Sequence, residues 1–146
     1  MNILAAVEGD YHDLVEVWEA SVRATHGFLS EEDIQFFKPL ILNDYFSAVE
    51  LYYIKDSRGT IHGFVGVAEQ KVEMLFLDPR SRGTGLGKFL LNFAIAELGA
   101  NTVDVNEQNP SAVGFYEHMG FKVVGRSSVD GLGKPFPLLH MELGTL

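Results

Sequence analysis

Leu75-Phe76-Leu77-Asp78-Pro79-Arg80-Ser81-Arg82-Gly83-Thr84-Gly85-Leu86-Gly87 is the stretch on which the fold turns. Val72 to Leu77 is an apolar run of strand length that stops at Asp78-Pro79. From Gly85 to Leu98 the period becomes helical: Leu86, Phe89, Leu90, Phe93 and Ala94 share one face, and Gly99 stands where a C-cap belongs. Strand, glycine turn and amphipathic helix in that order point backbone N–H groups out of a helix N-terminus, a nest for phosphate or diphosphate. Arg82 and Lys88 add positive charge to it. No Gly-Lys-Ser/Thr closes the turn, so it is not a P-loop. The glycine spacing and the antiparallel strands before it exclude a Rossmann dinucleotide fingerprint.

Upstream, Ile3 to Val7 reads as a first strand. Asp10 is placed to cap a helix carrying Leu14, Val17, Trp18, Ser21 and Val22, which runs out near Thr25-His26-Gly27. Ser30 caps a second helix with Glu31, Glu32 and Asp33 in its first turn, and Pro39 should end or kink it. Val49 to Lys55 and Ile61 to Ala68 form a hairpin about Asp56-Ser57-Arg58-Gly59, and Val72 to Leu77 extends it to a meander. Downstream, Thr102 to Val105 is a short β-branched strand. Asn109-Pro110 opens a helix through Phe115, Tyr116 and Met119 that Gly120 ends. Phe121 to Arg126 and Leu138 to Leu143 are closing strands joined by a loop rich in Gly, Pro and Asp. The expected class is α/β (α+β), one mixed sheet flanked by helices, in a single domain over residues 1–146.

Apolar residues make up 47% and charged residues 21%, a globular and not a disordered composition. No apolar run approaches the roughly eighteen residues of a membrane span. The opening residues lack a basic n-region, so no signal peptide is expected. With no cysteine there is neither a disulfide nor a thiolate nucleophile, which suits the cytoplasm. A net charge of −9 disfavours nucleic acid and would attract a cationic partner, besides keeping the chain soluble.

Together these segments resemble the GCN5-related N-acetyltransferase (GNAT) superfamily. Leu75 to Gly87 resembles the family's coenzyme A segment. Asn109, Ala112, Phe115, Tyr116, Glu117, Gly120 and Phe121 resemble its second segment, Asn-x-x-Ala-x-x-Phe-Tyr-x-x-x-Gly-Phe. Trp18 to Leu29 and Gly133 to His140 are similar to a small bacterial subgroup. The resemblance spans essentially the whole chain. It implies a mostly antiparallel sheet with about four helices and two central parallel strands, Val72 to Leu77 and Thr102 to Val105, splayed around acetyl-CoA. Backbone amides of Arg82, Gly83, Thr84, Gly85, Leu86, Gly87 and Lys88 would hold the diphosphate. The backbone of Leu75, Phe76 and Leu77 would pair with the pantetheine arm, and one freed amide would polarise the thioester carbonyl. Asn109 and Ala112 would contact the pantetheine. Tyr116, which the residues alone read as a core aromatic, would protonate the leaving thiolate.

The acceptor amine must lose a proton, since an alkyl ammonium of pKa about 10.4 is almost wholly protonated at pH 7. The resemblance implies an acidic base on the strand before the glycine turn, which makes Glu73 the first candidate; Glu69, His26 and water remain alternatives. Glu73 and Glu69 share the parity of Leu75 and Leu77, and thus a face if no bulge intervenes. The resemblance puts His26 and Phe28 on the wall of the acceptor pocket. His12, His62, His118 and His140 have no metal-binding spacing and read as surface or packing residues. The expected activity is acetyl transfer from acetyl-CoA to a small primary amine, by direct attack in a ternary complex. Alternatives are a peptide or protein amine, and a non-catalytic acyl-CoA sensor. The chain is expected to be a monomer or a homodimer, without a metal.

Overall fold

The computed structural model describes residues 2–144. In chain order the elements are β1 (Asn2–Ala5), α1 (Tyr11–Thr25), α2 (Glu31–Leu40), β2 (Glu50–Lys55), β3 (Ile61–Ala68), β4 (Lys71–Leu77), α3 (Leu86–Leu98), β5 (Thr102–Asn106), α4 (Pro110–His118), β6 (Phe121–Ser127) and β7 (Leu138–Leu143). The strands form one sheet in the order β1-β2-β3-β4-β5-β7-β6. Every neighbouring pair is antiparallel except β4 and β5. This is the mixed, mostly antiparallel sheet with four α-helices that the sequence led us to expect.

The sheet has a core on each side. Against one face lie α3 and α4, with Leu90, Leu91, Ala94 and Tyr116 meeting Val72, Val103, Val105 and Met141. Against the other lie α1 and α2, with Leu14, Val15, Trp18 and Ile34 meeting Leu51, Tyr53, Phe64 and Met74. Ion pairs hold α2 on α1: Arg23 reaches Glu31 at 2.7 Å and Lys38 reaches Glu16 at 3.1 Å. Ser30 caps α2 as expected, its hydroxyl accepting from the Asp33 N–H at 3.1 Å.

Several expectations fail for local physical reasons. The first strand ends at Ala5, because Val7 to Asp10 closes as a 3-10 turn in which the Asp10 carboxylate accepts the Val7 N–H at 2.9 Å. Asp10 is therefore not the side-chain cap of α1; its oxygen is spent backwards on the preceding turn. Pro39 does mark the end of α2, which stops one residue later at Leu40. The chain runs on through a π-helical turn, Ile41–Tyr45, and a 3-10 turn, Phe46–Ala48, widening just past the residue that lacks an N–H.

A second correction bears on the site. Gly66 pairs Met74 while Val67 pairs Val72, so Glu73 is an extra residue in β4, a β-bulge. Val72, Leu75 and Leu77 consequently meet the α3–α4 core while Met74 and Phe76 meet the α1–α2 core. Strict alternation slips at Glu73, and the parity argument that put Glu73, Glu69, Leu75 and Leu77 on one face does not hold. Glu69 and Gln70 form the β3–β4 turn at positive φ, 51° and 68°, without a glycine.

Gly63 in β3 is fixed by space, not by dihedral angle. A Cβ there would come within 2.5 Å of Leu77 Cδ2 and 2.8 Å of the Phe76 carbonyl oxygen. Gly63→Ala is expected to lower the unfolding free energy by about 1–3 kcal/mol, the usual cost of overpacking, read as an earlier urea midpoint at constant slope.

Candidate active site

The site begins where β4 and β5 part. Their parallel pairing lasts for two residue pairs, Lys71 with Thr102 and Val72 with Val103. Beyond that, Glu73 to Leu77 and Asp104 to Asn106 diverge, leaving one edge of each strand without a main-chain partner across the gap. The gap opens into a cleft of about 510 Å³. Each strand tolerates the separation because its other edge is paired, β4 with β3 and β5 with β7.

The glycine turn stands at one end of this cleft. Gly83 and Gly85 sit at φ 75° and 84°, and Gly85 leads straight into α3. At these angles a side chain is strained whatever room it has. Asp78 binds the Arg80 side chain at 3.0 Å, whereas Arg82 and Lys88 line the cleft without an ion pair among the described residues. The cations nearest the nest are thus uncommitted. Ser81, buried beneath the turn, is tied to His62 Nδ1 at 2.7 Å, and His62 Nε2 to Asp56 at 2.8 Å. His62 therefore braces the loop, in keeping with a packing role.

On the far wall, α4 begins at Asn109, whose Oδ1 accepts the Ala112 N–H at 3.2 Å. The Asn109 amide also donates toward His26 Nε2 at 3.4 Å. Thr25 Oγ1 gives its only proton to the Ser21 carbonyl at 2.9 Å, so at 2.7 Å it accepts from His26 Nδ1–H. This fixes a neutral tautomer with Nε2 as acceptor. Burial, then the charge of Arg82, pushes His26 from 6.5 down to about 4. Tyr116 is buried and lines the cleft, and desolvation holds its phenol well above the ordinary value. No enclosed side-chain polar atom among the described residues lacks a partner. Glu73 lines the cleft on the β4 side; burial, then Asp104 and Glu69, outweigh Lys71 and raise its pKa.

Of the residues singled out from sequence, Glu73, Leu75, Phe76, Leu77, Arg82, Gly83, Gly85, Gly87, Lys88, Asn109, Ala112, Tyr116 and His26 meet around this one cleft. Thr84 turns its hydroxyl to the Ser81 carbonyl, and Leu86 packs on the α3 core. Phe28 stands behind His26, ring centroids 5.2 Å apart, and against Phe136 of the β6–β7 loop at 6.0 Å. Glu69 belongs to the hairpin tip, outside the cleft. Ser21, Thr25, Asp104, Asn106 and His118 also line it and were not picked out. For Asp104 a signal existed: it is the one charge in a short β-branched strand.

Splayed parallel strands, a glycine nest with free cations and a tyrosine on the opposite wall fit a coenzyme A thioester. A family model described as Acetyltransferase (GNAT) domain matches residues 27–143. The chain belongs to the GNAT acetyltransferases. It is 40% identical over 141 residues, 97% of both chains, to the peptidyl-lysine N-acetyltransferase YjaB of Salmonella typhimurium. It is also similar to the solution structure of apo-form YjaB from Escherichia coli, with TM-score 0.87 and 38% identity over 99% of this chain and 98% of that one. The PaiA N-acetyltransferase of Thermoplasma acidophilum, solved with coenzyme A, shares the fold at TM-score 0.74 and 22% identity, covering 98% of each chain.

As a GNAT enzyme the protein is an acetyl-CoA-dependent N-acetyltransferase. Among the described residues no group of three or more His, Asp or Glu is placed to hold a metal, and no helix is long and apolar enough to cross a membrane.

Two outcomes follow from this geometry. Gly85→Glu puts bulk at a left-handed position and negative charge into the nest; isothermal calorimetry should find coenzyme A binding abolished with the fold intact. His26, held neutral down to about pH 4 when folded, takes up its proton near 6.5 when unfolded. The unfolded chain then binds more protons, so this group's stabilisation is lost as pH falls from 6.5 toward 4. Urea unfolding across that window should show a shallower loss in His26→Gln than in the wild type.

Proposed function

We propose that the acceptor is the ε-amino group of a lysine presented by a peptide or protein. The observation that carries this is the carboxylate of Glu73, exposed on the cleft lining where β4 and β5 part. The 40%-identical relative named peptidyl-lysine N-acetyltransferase supports the same acceptor. Residues 1–146 act in this reading as one catalytic domain.

The roles follow from position. Backbone amides of the Gly83–Gly87 turn, with Arg82 and Lys88, hold the diphosphate of acetyl-CoA. Main-chain groups of Leu75 to Leu77 pair with the pantetheine arm, and Asn109 and Ala112 border it. Glu73 takes a proton from the ammonium, and its raised pKa makes it a better base than an ordinary carboxylate. The freed nitrogen attacks the acetyl carbonyl, and the carbon–sulfur bond breaks. Tyr116, kept protonated by burial, donates to the departing sulfur. His26, neutral and engaged through both ring nitrogens, shapes the wall and does not act as base.

A small free amine is the second reading, the one first expected from sequence. The β6–β7 loop favours it: Phe136 packs on Phe28 and Phe37, Lys134 lies 4.2 Å over the Phe36 ring, and Phe28 in turn packs on His26 of the cleft wall.

Release of free thiol from acetyl-CoA, measured with lysine peptides beside polyamines and amino sugars, separates the readings. Higher kcat/KM on the peptides is expected; turnover of small amines alone would overturn the lysine acceptor. In Tyr116→Phe, kcat should fall on the order of 10²-fold or more while coenzyme A affinity stays unchanged.

A further inference from the structure

The last parallel pair joins Val72 to Val103. The next residue on each strand is acidic, Glu73 on β4 and Asp104 on β5, and both line the cleft. Two carboxylates therefore flank the vertex of the gap, one from each side. They differ in how they are held. Asp104 Oδ2 accepts from Lys71 Nζ at 2.8 Å and Oδ1 from His140 Nδ1 at 2.7 Å. The Ser127 hydroxyl lies 2.7 Å from His140 Nε2, on the far side of the ring from Asp104. Asp104 and His140 are cross-strand partners, and Gly125 stands opposite His140 on β6. Val103 and Val105 face the α4 core, which turns Asp104 to the other face, where α1 ends.

We propose that Asp104, fixed by Lys71 and by the His140–Ser127 pair, is the standing anion that receives the acceptor's ammonium at the vertex and presents it to Glu73. This rests on the reading of Glu73 as base. A carboxylate offers about four acceptor sites; Lys71 and His140 occupy two of those on Asp104. Lys71 already demonstrates the fit of an alkylammonium to this carboxylate. Burial works to raise the Asp104 pKa, but its bonds to His140 and Lys71 bring it below the ordinary value, so it stays charged and takes no proton itself. One proton passes, from the ammonium to Glu73. Lys71, His140 and Ser127 are positioning residues. The site accordingly selects a cationic amine over a neutral one.

The charged and titratable groups around Glu73 are Lys71 and Glu69 on its own hairpin, Asp104 on β5 with His140 behind it, and His26, Arg82, Lys88 and His118 about the cleft. Removing a neighbouring anion and removing a neighbouring cation must move Glu73 in opposite directions. In Asp104→Asn the Glu73 carboxyl, followed by ¹³C NMR, should titrate at lower pH; in Lys71→Met, at higher pH. This readout needs no turnover, so it stands apart from the acceptor assignment. With acetyl-CoA and an Nα-blocked lysine amide, Asp104→Asn should raise KM roughly tenfold, the effect of losing about 1.4 kcal/mol of charge pairing, with coenzyme A affinity intact. The acid limb of kcat/KM should follow the two NMR shifts. Glu73 shifts of the same sign in both variants, or an unchanged KM in Asp104→Asn, would overturn the proposal.

Discussion

Main-chain pairing between β4 and β5 stops after two residues, and the candidate site is arranged around that interruption. A parallel ladder in the middle of a sheet is ordinarily continuous, because unpaired backbone groups in a low-dielectric interior are costly. Here they face a cleft, where solvent or an extended ligand can satisfy them. The bulge at Glu73 belongs to the same constraint. An extra residue bends the strand and increases its local twist, and it does so at the point where β4 must leave β5.

Charge is distributed to match. The chain carries a net −9, yet among the described residues Arg82 and Lys88 are in no ion pair, while Arg80, Arg23, Lys38 and Arg126 are tied to carboxylates. One end of the cleft is prepared for an anion. The other end, at the vertex, gathers Glu73 and Asp104. In the proposed reading, a polyanionic thioester and a cationic amine would meet complementary potentials from opposite directions.

Most of this architecture was legible in the residues, for identifiable reasons. The switch from strand to helix at Gly85, the caps at Ser30, Asn109 and Gly99, and the hairpin about Asp56 are local effects, and local chemistry reports them. The tight turn at Gly83 and Gly85 was legible as well, because glycines spaced this way before a helix signal positive φ. What failed was nonlocal or finely local. Nothing along β4 marks Glu73 as a bulge, since a bulge is defined by the partner strand; a parity argument was bound to break there. Asp10 failed because a carboxylate can cap backwards. His140 read as packing, and its partnership with Asp104 depends on β7 returning between β5 and β6, an order no local pattern encodes.

The open seam has a thermodynamic consequence. A ligand lying in it would supply main-chain partners that the free chain lacks, acting as a detachable strand. Whatever binds the native state alone stabilises it by mass action, by about 2.7 kcal/mol at a hundred times the dissociation constant. The enzyme's resistance to heat and to proteolysis is thereby coupled to the supply of its own acyl donor. A cell depleted of coenzyme A would hold this protein in its more fragile form.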